Sequence, residues 1–220
     1  MKKIFILFCS FFGLFSNSQT YSRKIIIENK DTEWGLVDNL LKKHIKNKVS
    51  IQKGINDIQE LLNLNNSSLI TDSELEKLID EFNSFTRKVL TENELPKDIK
   101  GLNFGIFTSI ENNKEYITIY LSGSKTSPIE DSEDWNVESS YFPKFYMIPS
   151  FFEKIKSSNS ELNGELEILV YNGILNLLII ENIESYKEYI IKSSNEIYIG
   201  CGFDSGDTYI LGKLSNEGLK

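Results

Sequence analysis

Leu102-Asn103-Phe104-Gly105-Ile106-Phe107 and, after a polar break, Tyr116-Ile117-Thr118-Ile119-Tyr120-Leu121 decide the fold. Leu102, Phe104 and Ile106 fall on one side of a chain whose side chains alternate. Ile117, Ile119 and Leu121 do the same on its neighbour. Asn112-Asn113 between them tolerates the left-handed backbone of a tight turn. The stretch therefore reads as a β-hairpin and the nucleus of a sheet. A polar loop follows from Ser122-Gly123-Ser124. It ends in an acidic aromatic segment, Glu130-Asp131-Ser132-Glu133-Asp134-Trp135. An aromatic return, Tyr141-Phe142-Pro143-Lys144-Phe145-Tyr146, completes it.

The chain before this hairpin is helical in pattern. Trp34, Val37, Leu41 and Ile45 recur at helical spacing after a start at Asp31-Thr32, with Leu40 and His44 on the same face. Ile51, Ile55, Ile58 and Leu62 form a second stripe. Thr71-Asp72-Ser73-Glu74 is a capping box, in which the Thr hydroxyl and Glu carboxylate satisfy free backbone N–H groups. Leu75, Leu78, Ile79, Phe82 and Val89 continue that helix. Pro96 disfavours helix at the residue before it, so the helix ends upstream. Arg23-Lys24-Ile25-Ile26-Ile27-Glu28, further upstream, reads as a short strand or part of a leading arm.

After the hairpin, 149–156 reads as a short helix. Leu162, Leu166, Leu169, Val170, Gly173 and Leu177 suggest a buried helix, against the alternative of two strands turning at Asn172-Gly173. The apolar stripe is longer than a usual strand, which favours helix. Residues 196–203 alternate, Asp204-Ser205-Gly206-Asp207 turns, and 208–214 returns as a second hairpin. The expected fold class is α+β: N-terminal helices packed on a largely antiparallel sheet, with further helices between two hairpins. The expected organisation is a signal peptide over 1–18 and a single domain over 19–220, with a helical part at 30–92 and a mixed α/β part at 100–214.

The chain has 220 residues, 40% of them hydrophobic, which is enough for a sizeable core. Its formal charge of −8 argues against nucleic acid, because phosphate contacts need clustered Lys and Arg. It suits a basic protein partner. Met1-Lys2-Lys3, the apolar run 4–15 and the exit Ser16-Asn17-Ser18-Gln19 have the layout of a secretory signal, with cleavage expected before Gln19. The run is too short to span a bilayer, which takes about 20 residues. Cys9 lies inside it, with Phe8 before it, unlike a lipid-attachment cysteine. The expected address is exported, periplasmic or secreted. Cleavage leaves Cys201 as the one cysteine, so stability must come from packing and no intrachain disulfide can form. No later run is expected to insert stably in a membrane, since Asn172 and Asn176 interrupt 168–180.

Several residues carry chemistry by type. His44, the sole histidine, is expected at a boundary with a local hydrogen bond. One histidine cannot build a multi-histidine metal site. Cys201 alternates with Ile197, Ile199 and Phe203 and reads as a small buried hydrophobe. A Cys201–His44 nucleophile pair requires the fold to join them. Gly200-Cys201-Gly202 lacks the full dinucleotide-binding pattern, and its glycines read as places where the strand twists, bulges or is closely approached. Asp204 and Asp207, with Asp131 and Asp134, offer oxygen ligands without calcium-loop spacing. Glu130, Asp131, Glu133 and Asp134 read as ionised, solvated acids rather than an acid–base pair. Trp135 is either an interface anchor beside them or a plug in the core beneath. The expected sites are thus catalytic, none; metal, none; cofactor, none. The expected partner surface is Glu130, Asp131, Glu133, Asp134, Trp135, Tyr141, Phe142 and Tyr146.

Gly101-Leu102-Asn103-Phe104-Gly105-Ile106-Phe107, Tyr120-Leu121-Ser122-Gly123-Ser124, Glu133-Asp134-Trp135-Asn136 with Tyr141-Phe142-Pro143, and Gly202-Phe203-Asp204-Ser205-Gly206-Asp207 resemble a layout in small bacterial immunity proteins of polymorphic toxin systems. The resemblance covers the C-terminal half, 101–214. It implies a protein that binds and neutralises a cognate toxin, and it brings no catalytic residues; the expected function is a non-enzymatic protein-binding module acting by occlusion. Such immunity proteins usually lack an export signal, so the signal here implies a toxin acting in the periplasm or a different role on the same fold. The alternatives are an envelope hydrolase using carboxylates or Cys201, and a structural envelope-associated protein.

Overall fold

The computed structural model describes residues 33–64, 68–132, 135–136, 139–159, 162, 164–191, 196–204 and 208–220. The expected signal peptide, the 23–28 run, Glu133 and Asp134 lie outside the described residues.

Among the described residues, five helical segments and six strands follow one another along the chain. They are α1 (Trp34–Asn47), α2 (Ile51–Leu61), α3 (Asp72–Glu92), β1 (Gly101–Glu111), β2 (Lys114–Ser124), β3 (Tyr146–Met147), α4 (Ser150–Ser158), α5 (Gly164–Ile190), β4 (Glu196–Phe203), β5 (Thr208–Ser215) and β6 (Gly218–Leu219). The strands form one sheet in the order β3-β2-β1-β4-β5-β6. All neighbours are antiparallel except β1 and β4 at the centre, which run parallel. This is the α+β class, with both expected hairpins present. The parallel pair joins them, and α4 and α5 form the crossover that parallel pairing requires.

The β1–β2 turn is Asn112-Asn113, with φ of 51° and 62°. Two successive left-handed residues are the backbone of a type I′ turn, whose twist matches the flanking strands. Register follows from it: Phe104 lies opposite Leu121 and Ile106 opposite Ile119, and all four are buried.

α5 is the centre of the molecule. It runs 27 residues, long and apolar enough by composition to cross a membrane, yet 78% of its apolar window is buried inside the protein. Between Ile168 and Ile180 it is apolar on every side but for Asn172 and Asn176, which fits a helix buried all round. Gly54 of α2 lies against Leu177, and Gly173 meets Leu41 of α1 and Ile58 of α2. The helix is not uniform. Residues 168–172 form one π turn, in which the Gly173 N–H reaches back to the Ile168 carbonyl. A turn with one extra residue rotates the helix beyond it, and Asn172 here faces β4, where its Oδ1 accepts from Cys201 Sγ at 3.2 Å.

Helix ends are satisfied from neighbouring elements. Thr71 and Glu74 form the expected capping box on α3. Ser50 makes no side-chain cap on α2, and the Glu181 carboxylate of α5 instead accepts from the Ile51 N–H at 2.7 Å. Glu81 of α3 accepts from the Ser150 N–H at the start of α4, at 3.0 Å. A carboxylate at a helix N-terminus takes up free donors and meets the positive end of the dipole. Lys48 ends α1 in the left-handed region, with φ of 46°. Its ammonium donates to the carbonyl of Leu211, where β5 bulges against Ile199 and Gly200. α1 is thereby fastened to β5.

Two glycines give opposite expected outcomes in a urea titration. In Gly54→Val the new side chain overlaps buried Leu177, and overpacking should cost about 1–3 kcal/mol. Around Gly35 of α1 nothing lies within 4 Å of an added Cβ, so Gly35→Ala should gain about 0.4–1 kcal/mol by restricting the unfolded chain.

Candidate functional site: the face of the sheet away from the helices

Alternation gives the sheet two unlike faces. Leu102, Phe104, Ile106, Ile119, Leu121, Ile199 and Cys201 point toward the helices and are buried. The other face carries Gly101, Asn103, Gly105 and Phe107 from β1, Tyr120 and Ser122 from β2, and Gly200 and Gly202 from β4. Glycines leave a floor without side chains, and two large rings occupy it. Trp135 lies over Gly101 and Gly200, its ring carbons 2.7 Å from where a Gly200 Cβ would stand. Tyr120 lies over Gly105. Asn103, buried between these positions on the strand, has its Oδ1 without a hydrogen-bond partner among the described residues. Asn136, next to Trp135, donates to Thr208 Oγ1 at 2.6 Å and ties the loop to β5.

This arrangement redistributes the expected partner surface. Trp135 is only 2% exposed, so it is the plug and not the anchor. Tyr141 is also buried. Its hydroxyl donates to the Asn93 carbonyl at 2.9 Å, and burial pushes its pKa up to about 12. Glu130 is exposed but engaged: it pairs with Lys100 and accepts from the Ser127 N–H and hydroxyl. The Lys100 ammonium, then the Ser127 donors, hold its carboxyl at about 2. Asp131 is half-buried, and its backbone N–H donates to the Ser127 carbonyl. Phe142 and Tyr146 are the exposed aromatic members, at 45% and 51%.

Phe142 and Tyr146 join two rings from the sheet that sequence reasoning passed over. Ring centroids are 5.9 Å apart for Phe107–Tyr120, 5.2 Å for Tyr120–Phe142, 6.5 Å for Phe142–Tyr146 and 5.8 Å for Phe107–Tyr146. The contacts close into a circuit, each ring tilted 53–72° to the next, as edge-to-face aromatic pairs prefer. The Tyr120 hydroxyl donates to Asp204 Oδ1, and burial followed by that carboxylate raises the phenol pKa. The signal for Phe107 and Tyr120 was the same alternation that identified the core: they lie on the opposite face from Phe104 and Leu121.

The other candidate chemistry is buried. Cys201 is fully enclosed, and burial drives its thiol pKa well up, away from the nucleophilic thiolate. His44 is not at a boundary but fully buried, with Nε2 donating to Asp57 Oδ2 of α2 at 3.1 Å. The two residues therefore have separate partners, Asn172 and Asp57. Among the described residues no three metal-ligating side chains converge. Asp134 and Asp207 lie outside the described residues.

Two measurements check this geometry. Gly101→Val, made with Trp34→Phe so that one indole reports, should displace Trp135. The emission should shift to the red and stability should fall by about 1–3 kcal/mol. The second concerns pH. Burial holds His44 below its ordinary 6.5, against the pull of Asp57. The unfolded chain then binds the proton more readily, so this contribution is complete above the unfolded value and is lost as pH falls below it. The urea midpoint should drop between pH values of about 7.5 and 5.5, and the drop should shrink in His44→Gln.

No protein-family model, no curated protein and no solved structure matches this chain.

Proposed function

We propose that the protein is an exported, non-enzymatic protein-binding module that neutralises a cognate toxin by covering it. The observation that carries this reading is the aromatic circuit on the sheet face away from the helices. Four rings there hold one another in place, and Phe142 and Tyr146 present about half their surface to solvent. Pre-ordered aromatic side chains are the usual anchors of protein interfaces, because they bury much area for little lost freedom. The rings also have a charged neighbour, Asp204, which accepts from the Tyr120 hydroxyl and suits an interface core with a charged rim. A net charge of −8 favours encounter with a basic partner.

The hydrolase alternative loses its nucleophile, since Cys201 is enclosed and hydrogen-bonded to Asn172. Its carboxylate form lacks a raised pKa at Glu130, which Lys100 and Ser127 hold in the ionised state. The toxin-neutralising part of the proposal rests on the resemblance over 101–214 and on the export layout of 1–18.

The test is growth rescue. The protein and the effector encoded beside its gene are exported together to the periplasm of a sensitive host. Rescue is expected with the native chain. Phe142→Ala/Tyr146→Ala, verified as folded by circular dichroism, should weaken binding by about 2 kcal/mol or more and abolish rescue. Undiminished rescue by the folded double variant would remove the assignment to this face.

A further inference from the structure

We infer that the aromatic circuit and Asp204 together form the seat for one arginine side chain of the protein partner, an inference that rests on the protein-binding reading above. The rings supply the first half of the chemistry. With neighbouring centroids no more than 6.5 Å apart around a closed circuit, a cation set against the exposed pair Phe142 and Tyr146 comes within about 6 Å of more than one ring. That is the range over which the negative face of an aromatic ring attracts a cation. This chain's own lysines lie over other rings: Lys88 over Phe145, Lys114 over Tyr116 and Lys213 over Tyr198. Among the described residues none lies over the four rings of the circuit.

Asp204 supplies the second half. It follows β4, and its backbone N–H donates to the Ile106 carbonyl at 3.0 Å, which fixes it at the edge of the ring cluster. Tyr120 donates to one carboxylate oxygen, leaving the other as an acceptor. Glu130, Glu153, Glu196 and Glu217 each pair with a lysine of this chain. Asp204 has no such cation among the described residues. An exposed anion held beside a group of rings is complementary to a cation that can both stack and donate. Guanidinium does both, being planar, permanently charged and weakly hydrated. Ammonium is a compact, strongly hydrated charge, and a quaternary ammonium has no N–H to give the free oxygen.

The experiment uses small probes on the folded chain. The isotopically labelled protein is titrated at low salt with acetyl-Gly-Arg-Gly-amide, with the same peptide carrying citrulline, and with tetramethylammonium chloride. Resonances of Phe107, Tyr120, Phe142 and Tyr146 are followed by NMR. The arginine peptide should shift them with millimolar-range affinity, and the citrulline peptide should bind about tenfold more weakly or not at all. Asp204→Asn keeps an oxygen for the Tyr120 hydroxyl and should weaken the arginine peptide to a similar degree. Equal binding of arginine and citrulline, or an unchanged affinity in Asp204→Asn, would overturn the inference. Tetramethylammonium binding as tightly as arginine would overturn it in favour of a quaternary ammonium ligand. If Phe142→Ala/Tyr146→Ala abolishes toxin rescue while Asp204→Asn and citrulline change nothing, the protein-binding reading stands and the arginine seat falls. If the double variant also rescues fully, both fall.

Discussion

Everything else in this molecule accommodates one helix that cannot meet water. In α5, Leu169, Val170, Ile174, Leu175, Leu177, Leu178 and Ile179 are all fully enclosed. Each such side chain contributes about 1.5–3 kcal/mol by leaving water, but only if both sides of the helix are covered. The sheet covers one side, through β4 and Cys201. α1 and α2 cover the other, and they approach closely because Gly54 and Gly173 leave room at the contacts with Leu177, Leu41 and Ile58. With only the sheet against it, α5 would leave its other side open. α1 and α2 supply that cover, and the capping of α2 by Glu181 ties them to the helix they enclose, while α3 packs directly on the sheet through Phe82 against Phe104.

The same enclosure creates a cost that sequence patterning conceals. Asn172 and Asn176 sit inside α5, and Asn176 has neither amide atom paired among the described residues. A buried amide without partners costs about 1–3 kcal/mol. The π turn at 168–172 reduces that cost at one of them by presenting Asn172 to the Cys201 thiol. Cys201 is thus better described as a donor to a buried asparagine than as a neutral filler of the core.

The elements legible in the sequence were those governed by local rules. Alternation at 102–107 and 116–121, the Asn112-Asn113 turn, the Thr71–Glu74 box and the stop before Pro96 each depend on residues adjacent in the chain. The apolar length of 162–180 distinguished helix from hairpin at Asn172-Gly173, since a strand pair would have placed that whole run in a sheet. Features that depend on distant partners could not be read. The parallel pairing of β1 with β4 is one case. The fate of Trp135 is another: beside acids it looks like a surface anchor, but Gly101 and Gly200, on two different strands, provide the hollow that takes it in. The enclosure of His44 has the same origin, because its partner Asp57 belongs to the next helix. Lys100 and Ser127 likewise decide the state of Glu130, which residue type alone leaves open.

Glycine placement connects the core to the candidate site. Helices saturate one face of the sheet, and the opposite face could have been closed by branched side chains standing upright, as on the core side. Instead Gly101, Gly105 and Gly200 let Trp135 and Tyr120 lie down on the strands. A ring lying on a glycine buries one side and leaves the other available for further aromatic contacts. Tyr120 is held in this way and so supports Phe142, which in turn meets Tyr146, and Phe107 closes the circuit. The exposed rings are therefore not loosely attached loop residues. They are the outer course of a stack founded on the central strands, each braced by two neighbouring rings. Bracing of this kind lowers the ordering cost an interface must overcome, which favours Phe142 and Tyr146 over the paired acidic residue Glu130 as interface anchors.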